Sequence, residues 1–330
     1  MENLQFGILG CGGIVWKQFL PAIKKAGNAT AAAISSRKQE KADEFAAKYD
    51  IPLAFGSYEE MLQSDKIQAV YIPLPNSLHK EWALKALDAG KHVLCEKPLA
   101  VSAADCLEMD ETARQKKLLL MEAFMYRFQP LTEKIIEEVQ SGILGGMETI
   151  QAVHSFLLTD ETNVRLSKEL NGGSLMDVGC YCVNAVRTLF NEEPEAVSAV
   201  AHFHAHGVDD QINILARFKS GRSAVLSSGL VSQYPSGYTI SGKRGYIHTH
   251  FGYHLGVSNG LVTRKIDGVE STFRDSTNEY TRMIEHFSDC VLHNKPLRYD
   301  AREAAKNMAF IEAALASARN QGEWTKVETI

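Results

Sequence analysis

No stretch of this chain approaches the roughly 20 consecutive apolar residues that a helix needs to cross a bilayer, so no membrane span is expected. Blocks of like charge are missing too. Lysine and arginine number 35 against 40 aspartates and glutamates, a formal net charge of −5, and the two signs are interspersed. A nucleic-acid surface concentrates positive charge, so that class is excluded. The six cysteines (Cys11, Cys95, Cys106, Cys180, Cys182, Cys290) include no CxxC pair, and read as reduced, mostly buried thiols of a cytoplasmic protein. Met1-Glu2-Asn3 leads straight into apolar residues, without the basic, apolar leader of an exported chain. Internal repeats and low-complexity tracts are absent.

What is present is 330 residues, 45% hydrophobic and 23% charged, enough for two domains of roughly 100–200 residues each. Over the first 123 residues short apolar runs alternate with amphipathic segments. Strands are predicted at Leu4–Leu9, 30–35, Ala69–Ile72, His92–Cys95 and 118–123. Helices are predicted over 14–26, 38–49, 102–117, and from a cap at Asn76 to residue 89. That alternation signals a parallel sheet wrapped by helices. Beyond it, 149–156, 195–206, 211–218 and 223–230 show period-two alternation, with helices over 173–190, Glu279–His293 and Ala301–Arg319. The expected fold class is therefore α/β. A Rossmann dinucleotide-binding domain occupies 1–123, and an α+β domain with a large open, mostly antiparallel sheet occupies 124–330.

Gly10-Cys11-Gly12-Gly13-Ile14 joins the first strand to the first helix. Glycines there permit a tight turn and let the backbone approach a pyrophosphate seated on the helix amino end. Val15 takes the third fingerprint position, usually Gly or Ala, so the helix must stand slightly further from the sheet. After the second strand come Ser35-Ser36-Arg37-Lys38, with no acid until Glu40. An acid at this place binds a ribose 2′-hydroxyl, whereas cations accommodate a 2′-phosphate. Ser36, Arg37 and Lys38 thus favour NADP(H) over NAD(H). In Pro73-Leu74-Pro75-Asn76-Ser77-Leu78-His79, Leu74, Asn76 and His79 fall toward the nicotinamide end.

Cys95-Glu96-Lys97-Pro98 ends a strand, where open α/β folds bind their ligands. The proline denies Lys97 the αR region and keeps it extended. Asp177 and Tyr181 are four apart, hence neighbours on a helix surface. A tyrosine hydroxyl is a poor base at neutral pH unless an adjacent ammonium lowers its pKa, a charge that Lys97 is placed to supply. Gly172-Gly173 would let that helix approach a ligand closely. Taken singly, Asp177 reads equally as an acid bonded within its helix and Tyr181 as a core aromatic.

The glycine turn, Glu96-Lys97-Pro98 and Gly172-Gly173-Ser174-Leu175-Met176-Asp177-Val178-Gly179-Cys180-Tyr181 together resemble the Gfo/Idh/MocA oxidoreductases, over essentially the whole chain. The resemblance implies that Lys97 is the catalytic lysine and that Asp177, Gly179 and Tyr181 match the Asp-x-Gly-x-His/Tyr segment. Tyrosine at the last position resembles the glucose–fructose oxidoreductase and dimeric dihydrodiol dehydrogenase branch. So do Met121-Glu122-Ala123-Phe124-Met125-Tyr126-Arg127-Phe128, Asn163-Val164-Arg165-Leu166 and Gly207-Val208-Asp209-Asp210, which are also similar to NADP-dependent aldose dehydrogenases. On that resemblance Glu96 and Arg165 contact cofactor, Tyr126 and Arg127 contact substrate, and the open sheet pairs subunits.

His202, His204 and His206 alternate along a predicted strand. Alternate residues lie about 6–7 Å apart, and no carboxylate pattern completes a site, so no metal is expected there or at His248, His250 and His254. The expected activity is NADP(H)-dependent hydride transfer at a CH–OH carbon of a sugar, cyclic polyol or trans-dihydrodiol. Two alternatives use the same residues: an NADPH-dependent ketosugar or anhydrosugar reductase, and a non-catalytic NADP-binding redox regulator. A homodimer or dimer of dimers through the second domain's sheet is expected. The loops around 157–170 and 231–238 are expected to line the substrate pocket.

Overall fold

A computed structural model describes residues 3–254, 256 and 260–330; Met1 and Glu2, which lead into the first strand, lie outside them. The chain divides into two compact units. One holds the chain through Met125 together with Tyr280–Ala305, and the other holds Tyr126–Glu279 and Lys306–Ile330. The division is therefore not a single cut after Ala123, because the helix Glu279–His293 returns to the first unit. Its Phe287 ring lies 5.9 Å from that of Phe6. The Glu285 carboxylate accepts from the Gly27 N–H at 3.1 Å, and Thr281 donates to the Ala22 carbonyl at 3.2 Å.

In the first unit β1 (Leu4–Leu9), β2 (Ala29–Ser35), β3 (Leu53–Phe55), β4 (Ala69–Ile72), β5 (His92–Cys95) and β6 (Leu120–Glu122) form one sheet. Its order is β3-β2-β1-β4-β5-β6, and every neighbouring pair is parallel. Helices cover both faces of such a sheet, so its strands read as continuous apolar runs; β4 is buried at all four positions. Phe19 stacks on Tyr71 with centroids 3.8 Å apart, on the same aromatic core as Phe6. The strand order reverses between β1 and β4, and the crevice beyond their carboxyl ends is where such sheets bind ligands. Two elements escape the sequence pattern. β3 has three half-buried residues, and the helix Tyr58–Leu62, capped by the Ser57 hydroxyl, has five; neither is long enough to show a period.

The second unit carries a nine-stranded sheet: β7 (Met147–Leu157), β8 (Pro194–Phe203), β9 (Asp209–Phe218), β10 (Ser223–Gly229), β11 (Val231–Gly242), β12 (Gly245–His250), β13 (Leu261–Ile266), β14 (Val269–Arg274) and β15 (Thr325–Lys326). Its order is β14-β13-β12-β11-β7-β10-β9-β8-β15. All neighbours are antiparallel except β7 and β10. Residues 231–238, expected as a pocket loop, are instead the first part of β11. Pro235 and Gly237 interrupt the alternation, and the strand keeps its pairing with β7 through register shifts between Val231, Tyr234 and Gly237. The helix Cys180–Phe190 packs on β7 and β10, burying Ile150, Ala152, Ala224 and Leu226 on one face of the sheet. Val200, Leu215 and Val225 stand exposed on strands β8, β9 and β10. Among the described residues no helix is long and apolar enough to cross a membrane.

Candidate active site

The glycine turn has the backbone that its sequence requires. Gly10 has φ +99°, in the left-handed region that favours glycine, and a side chain there would also press on Leu74. Gly12 and Gly13 are exposed, with open space where a Cβ on Gly13 would project. The turn therefore has room for a phosphate on its backbone N–H groups. Instead of one α-helix over 14–26, a π-helical run Val15–Phe19 leads into a short α-helix, Leu20–Ile23. Val15 is fully buried within that wider winding.

After β2, Ser36 is buried and its N–H donates to the Phe55 carbonyl at 3.0 Å. Arg37 and Lys38 are exposed, and Lys38 is extended before the helix Gln39–Tyr49. Two cations thus stand in the open beyond the second strand, with no carboxylate before Glu40.

Asn76 is not the cap that its position suggests. It opens a 3-10 turn, Asn76–Leu78, ahead of the helix His79–Asp88. His79, expected beside the cofactor, is fully buried, and both ring nitrogens face backbone carbonyls: Nδ1 lies 2.8 Å from the Pro98 oxygen and Nε2 2.7 Å from that of Leu74. A neutral imidazole has one N–H and donates to one of these at a time. Burial, and the charge of Lys97, push its pKa down, although the two carbonyls favour the cation. Its chemical part is to tie the 73–79 loop to the lysine loop.

That loop is held at further points. The Glu96 carboxylate accepts from the Tyr71 hydroxyl at 2.6 Å, and the Glu122 carboxylate accepts from the Leu99 N–H at 2.8 Å. Burial, then Glu96, push the Tyr71 pKa well up, so its hydroxyl remains a donor. From Val93 to Ala100 every residue is buried except Lys97. The Lys97–Pro98 peptide is cis. The fold thus presents one ammonium-bearing chain on an otherwise closed strap beyond β5.

In the second unit, Asp177 lies in a π-helical run, Leu175–Gly179, and Tyr181 in the α-helix that follows, Cys180–Phe190. Gly172 and Gly173 admit protein rather than ligand. A side chain on Gly172 would collide with the Arg165 carbonyl, and one on Gly173 with the Asp209 carboxylate. Arg165, read from its resemblance as a cofactor contact, donates from Nε to Asp177 Oδ2 at 2.5 Å. Burial opposes its charge, but Asp177 and then Tyr181 more than offset this and hold the guanidinium above its ordinary pKa. The backbone of Arg165 is set by the Asn163 side chain, which accepts its N–H at 3.2 Å.

Tyr181 is buried in a ring cluster. His154 lies 5.2 Å away, Tyr253 5.5 Å, and Tyr126 and His254 5.9 Å each. Tyr126 itself donates to the Asn184 side-chain oxygen at 2.5 Å, and Arg127 sits half-buried in the turn Met125–Phe128. His154 and Tyr253 carry no sequence motif; only their inward positions beside Tyr181 single them out. His254 parts from His248 and His250, whose rings meet 4.3 Å apart. The other histidine stripe is broken as well. β8 ends at Phe203, and Gly207 (φ +83°) closes a turn over 204–207. His202 contacts Asp210 at 2.7 Å and His204 contacts Glu161 at 3.3 Å.

Two family models match the chain: an oxidoreductase family with an NAD-binding Rossmann fold over residues 4–124, and the Gfo/Idh/MocA C-terminal domain over residues 132–248. A D-xylose 1-dehydrogenase (NADP(+)) 2 from Haloferax volcanii is 37% identical over 319 residues, 96% of this chain and 97% of that one. A trans-1,2-dihydrobenzene-1,2-diol dehydrogenase from Xenopus tropicalis is 39% identical over 216 residues, 65% of each chain. The crystal structure of an aldose-aldose oxidoreductase from Caulobacter crescentus complexed with glycerol superposes with a TM-score of 0.91 at 29% identity, covering 98% of this chain and 100% of that one.

Proposed function

The chain belongs to the Gfo/Idh/MocA oxidoreductase family, and from that premise we propose an NADP(H)-dependent oxidoreductase acting on a CH–OH carbon of a sugar, cyclic polyol or trans-dihydrodiol. The observation that carries this reading is Lys97, the one residue left accessible on a strap whose neighbours from Val93 to Ala100 are buried. The xylose and dihydrodiol dehydrogenases among its relatives support the substrate class.

The glycine turn Gly10–Ile14 takes the pyrophosphate, and Ser36, Arg37 and Lys38 take the 2′-phosphate. Nicotinamide, when bound, supplies hydride transfer. The protein handles the proton. Lys97 donates a hydrogen bond to the substrate oxygen, and the Tyr181 phenol receives the hydroxyl proton on oxidation and returns it on reduction. Asp177, fixed by Arg165, orients the substrate hydroxyl. The ring cluster around Tyr181 keeps that phenol out of bulk water. The outward faces of β8, β9 and β10, with exposed Val200, Leu215 and Val225, pair two copies of the chain, since an apolar patch of this kind marks a partner surface. Six free thiols suit the reducing cytoplasm.

The test is an NADP+ reduction screen across aldoses, inositols and trans-diols, followed in nicotinamide absorbance. Turnover by the wild-type chain that disappears in Lys97→Met is expected. Turnover that survives this substitution refutes the assignment of the lysine.

A further inference from the structure

We propose that Asp209, at the start of β9, is a positioning residue for this site: its carboxylate anchors the turn from which Asp177 and Tyr181 are presented. The proposal rests on the reading that Asp177 and Tyr181 act on substrate.

Asp209 is only 3% exposed. Its Oδ2 accepts two hydrogen bonds, from the Leu175 backbone N–H at 2.7 Å and the Ser174 hydroxyl at 2.6 Å. Gly173, with φ +109°, completes the seat, because any side chain there would strike Oδ1. Three successive residues are therefore arranged around one carboxylate. Leu175 is the first residue of the π-helical run, and an N–H at such a place has no partner within its own helix. A negative charge there is also favoured by the aligned peptide dipoles. Asp177 closes the same turn, its N–H donating to the Gly173 carbonyl at 3.0 Å, and Tyr181 follows one turn later.

A serine or asparagine could cap this turn without a buried charge, which is costly. The cost is visible. Burial, together with the adjacent Asp210, pushes the carboxyl up to about 6 against the hydrogen bonds that favour its anion. Ser174 is further held by Ser228, whose hydroxyl lies 3.1 Å away. A rigid, doubly accepting group is what a turn needs when a displacement near 1 Å costs on the order of a hundredfold in rate.

The experiment compares Asp209→Ala and Asp209→Asn in the full chain, by amide exchange of peptides covering 172–181, kcat on the substrate found by screening, and NADPH affinity. In Asp209→Ala, exchange in 172–181 is expected to quicken by on the order of tenfold and kcat to fall by about tenfold or more, with NADPH affinity unchanged. Asp209→Asn, which keeps an accepting oxygen, is expected to restore most of both. Unchanged exchange in Asp209→Ala, joint loss of NADPH affinity and kcat, or an asparagine variant no better than alanine each overturns the proposal. The two readings fail separately. Quickened exchange with turnover indifferent to Tyr181→Phe refutes the role of Tyr181 alone. Unchanged exchange with turnover abolished by Tyr181→Phe refutes the anchor alone.

Discussion

Replacing Asp209 by asparagine is expected to stabilise the fold at neutral pH, although it removes hydrogen-bonded charge. The carboxyl has an ordinary value of 3.8 and is pushed up to about 6 in the fold. The folded state therefore holds the proton more tightly than the unfolded chain. The stability this gives is fully present below pH 3.8 and is lost as pH rises through about 6. The difference of about two units corresponds to roughly 3 kcal/mol of strain borne by the ionised protein at pH 7. Asparagine does not titrate and keeps an oxygen for Leu175 and Ser174. Its amide nitrogen forfeits the bond that Asp209 N–H gives its own carboxylate, an offset of about 1 kcal/mol. A net gain of about 2 kcal/mol remains, or about 4–8 °C for a unit of this size. Scanning calorimetry of both proteins between about pH 4 and 8 tests it. The gap should widen from about pH 4 to about pH 6 and level off above 7. A variant less stable at pH 7, or a gap that ignores pH, would refute the reasoning.

Other outcomes follow from particular contacts. With two exposed cations after β2 and no carboxylate before Glu40, the wild type should bind NADP(H) more tightly than NAD(H), and Arg37→Asp should narrow or reverse the preference in a titration of both cofactors. Lys97→Met should lower kcat by on the order of a hundredfold with NADPH affinity kept, since the lost ammonium acts on the substrate oxygen; near-normal turnover would make the lysine structural. His79→Leu should also lower kcat, by on the order of tenfold, because the bond to the Pro98 carbonyl is lost while Lys97 itself remains. Light scattering at micromolar concentration should find a dimer or larger, and a monomer would rule out pairing through the outward sheet face.

The parts of this molecule that were legible in the sequence are those fixed by local period. β1, β4 and β5 fall where their apolar runs predict, and the helices Glu279–His293 and Ala301–Arg319 keep their predicted ends, since an amphipathic face over four turns is hard to mistake. Partners set by long-range packing were not legible. Gly172-Gly173 looks like room for a ligand, yet the space is filled by Arg165 and Asp209, 7 residues before and 36 after the pair. The tie of Arg165 to Asp177, 12 residues on, has no signal in the sequence either. The rings around Tyr181 come from residues 126, 154, 253 and 254, and no spacing rule links those numbers. β11 was hidden by Pro235 and Gly237, because a bulged strand breaks the alternation by which strands are read.

These unforeseen contacts share one physical form. In each unit a side chain to which we assign chemistry follows or precedes a glycine or proline, and a buried carboxylate accepts a backbone N–H two residues away from it. Glu122 accepts from Leu99, two residues beyond Lys97; Asp209 accepts from Leu175, two residues before Asp177. A carboxylate suits the task because it accepts at several lone pairs and donates nothing, so it gathers neighbouring N–H and O–H groups onto one rigid point. The cost of burying it is borne by the fold, and at Asp209 that cost is evident in the raised carboxyl pKa. A polar cap would serve stability better. Because an asparagine oxygen could accept the same two bonds, what Asp209 contributes at this turn is the acceptor that positions Asp177 and Tyr181, and its charge is a cost that the fold bears.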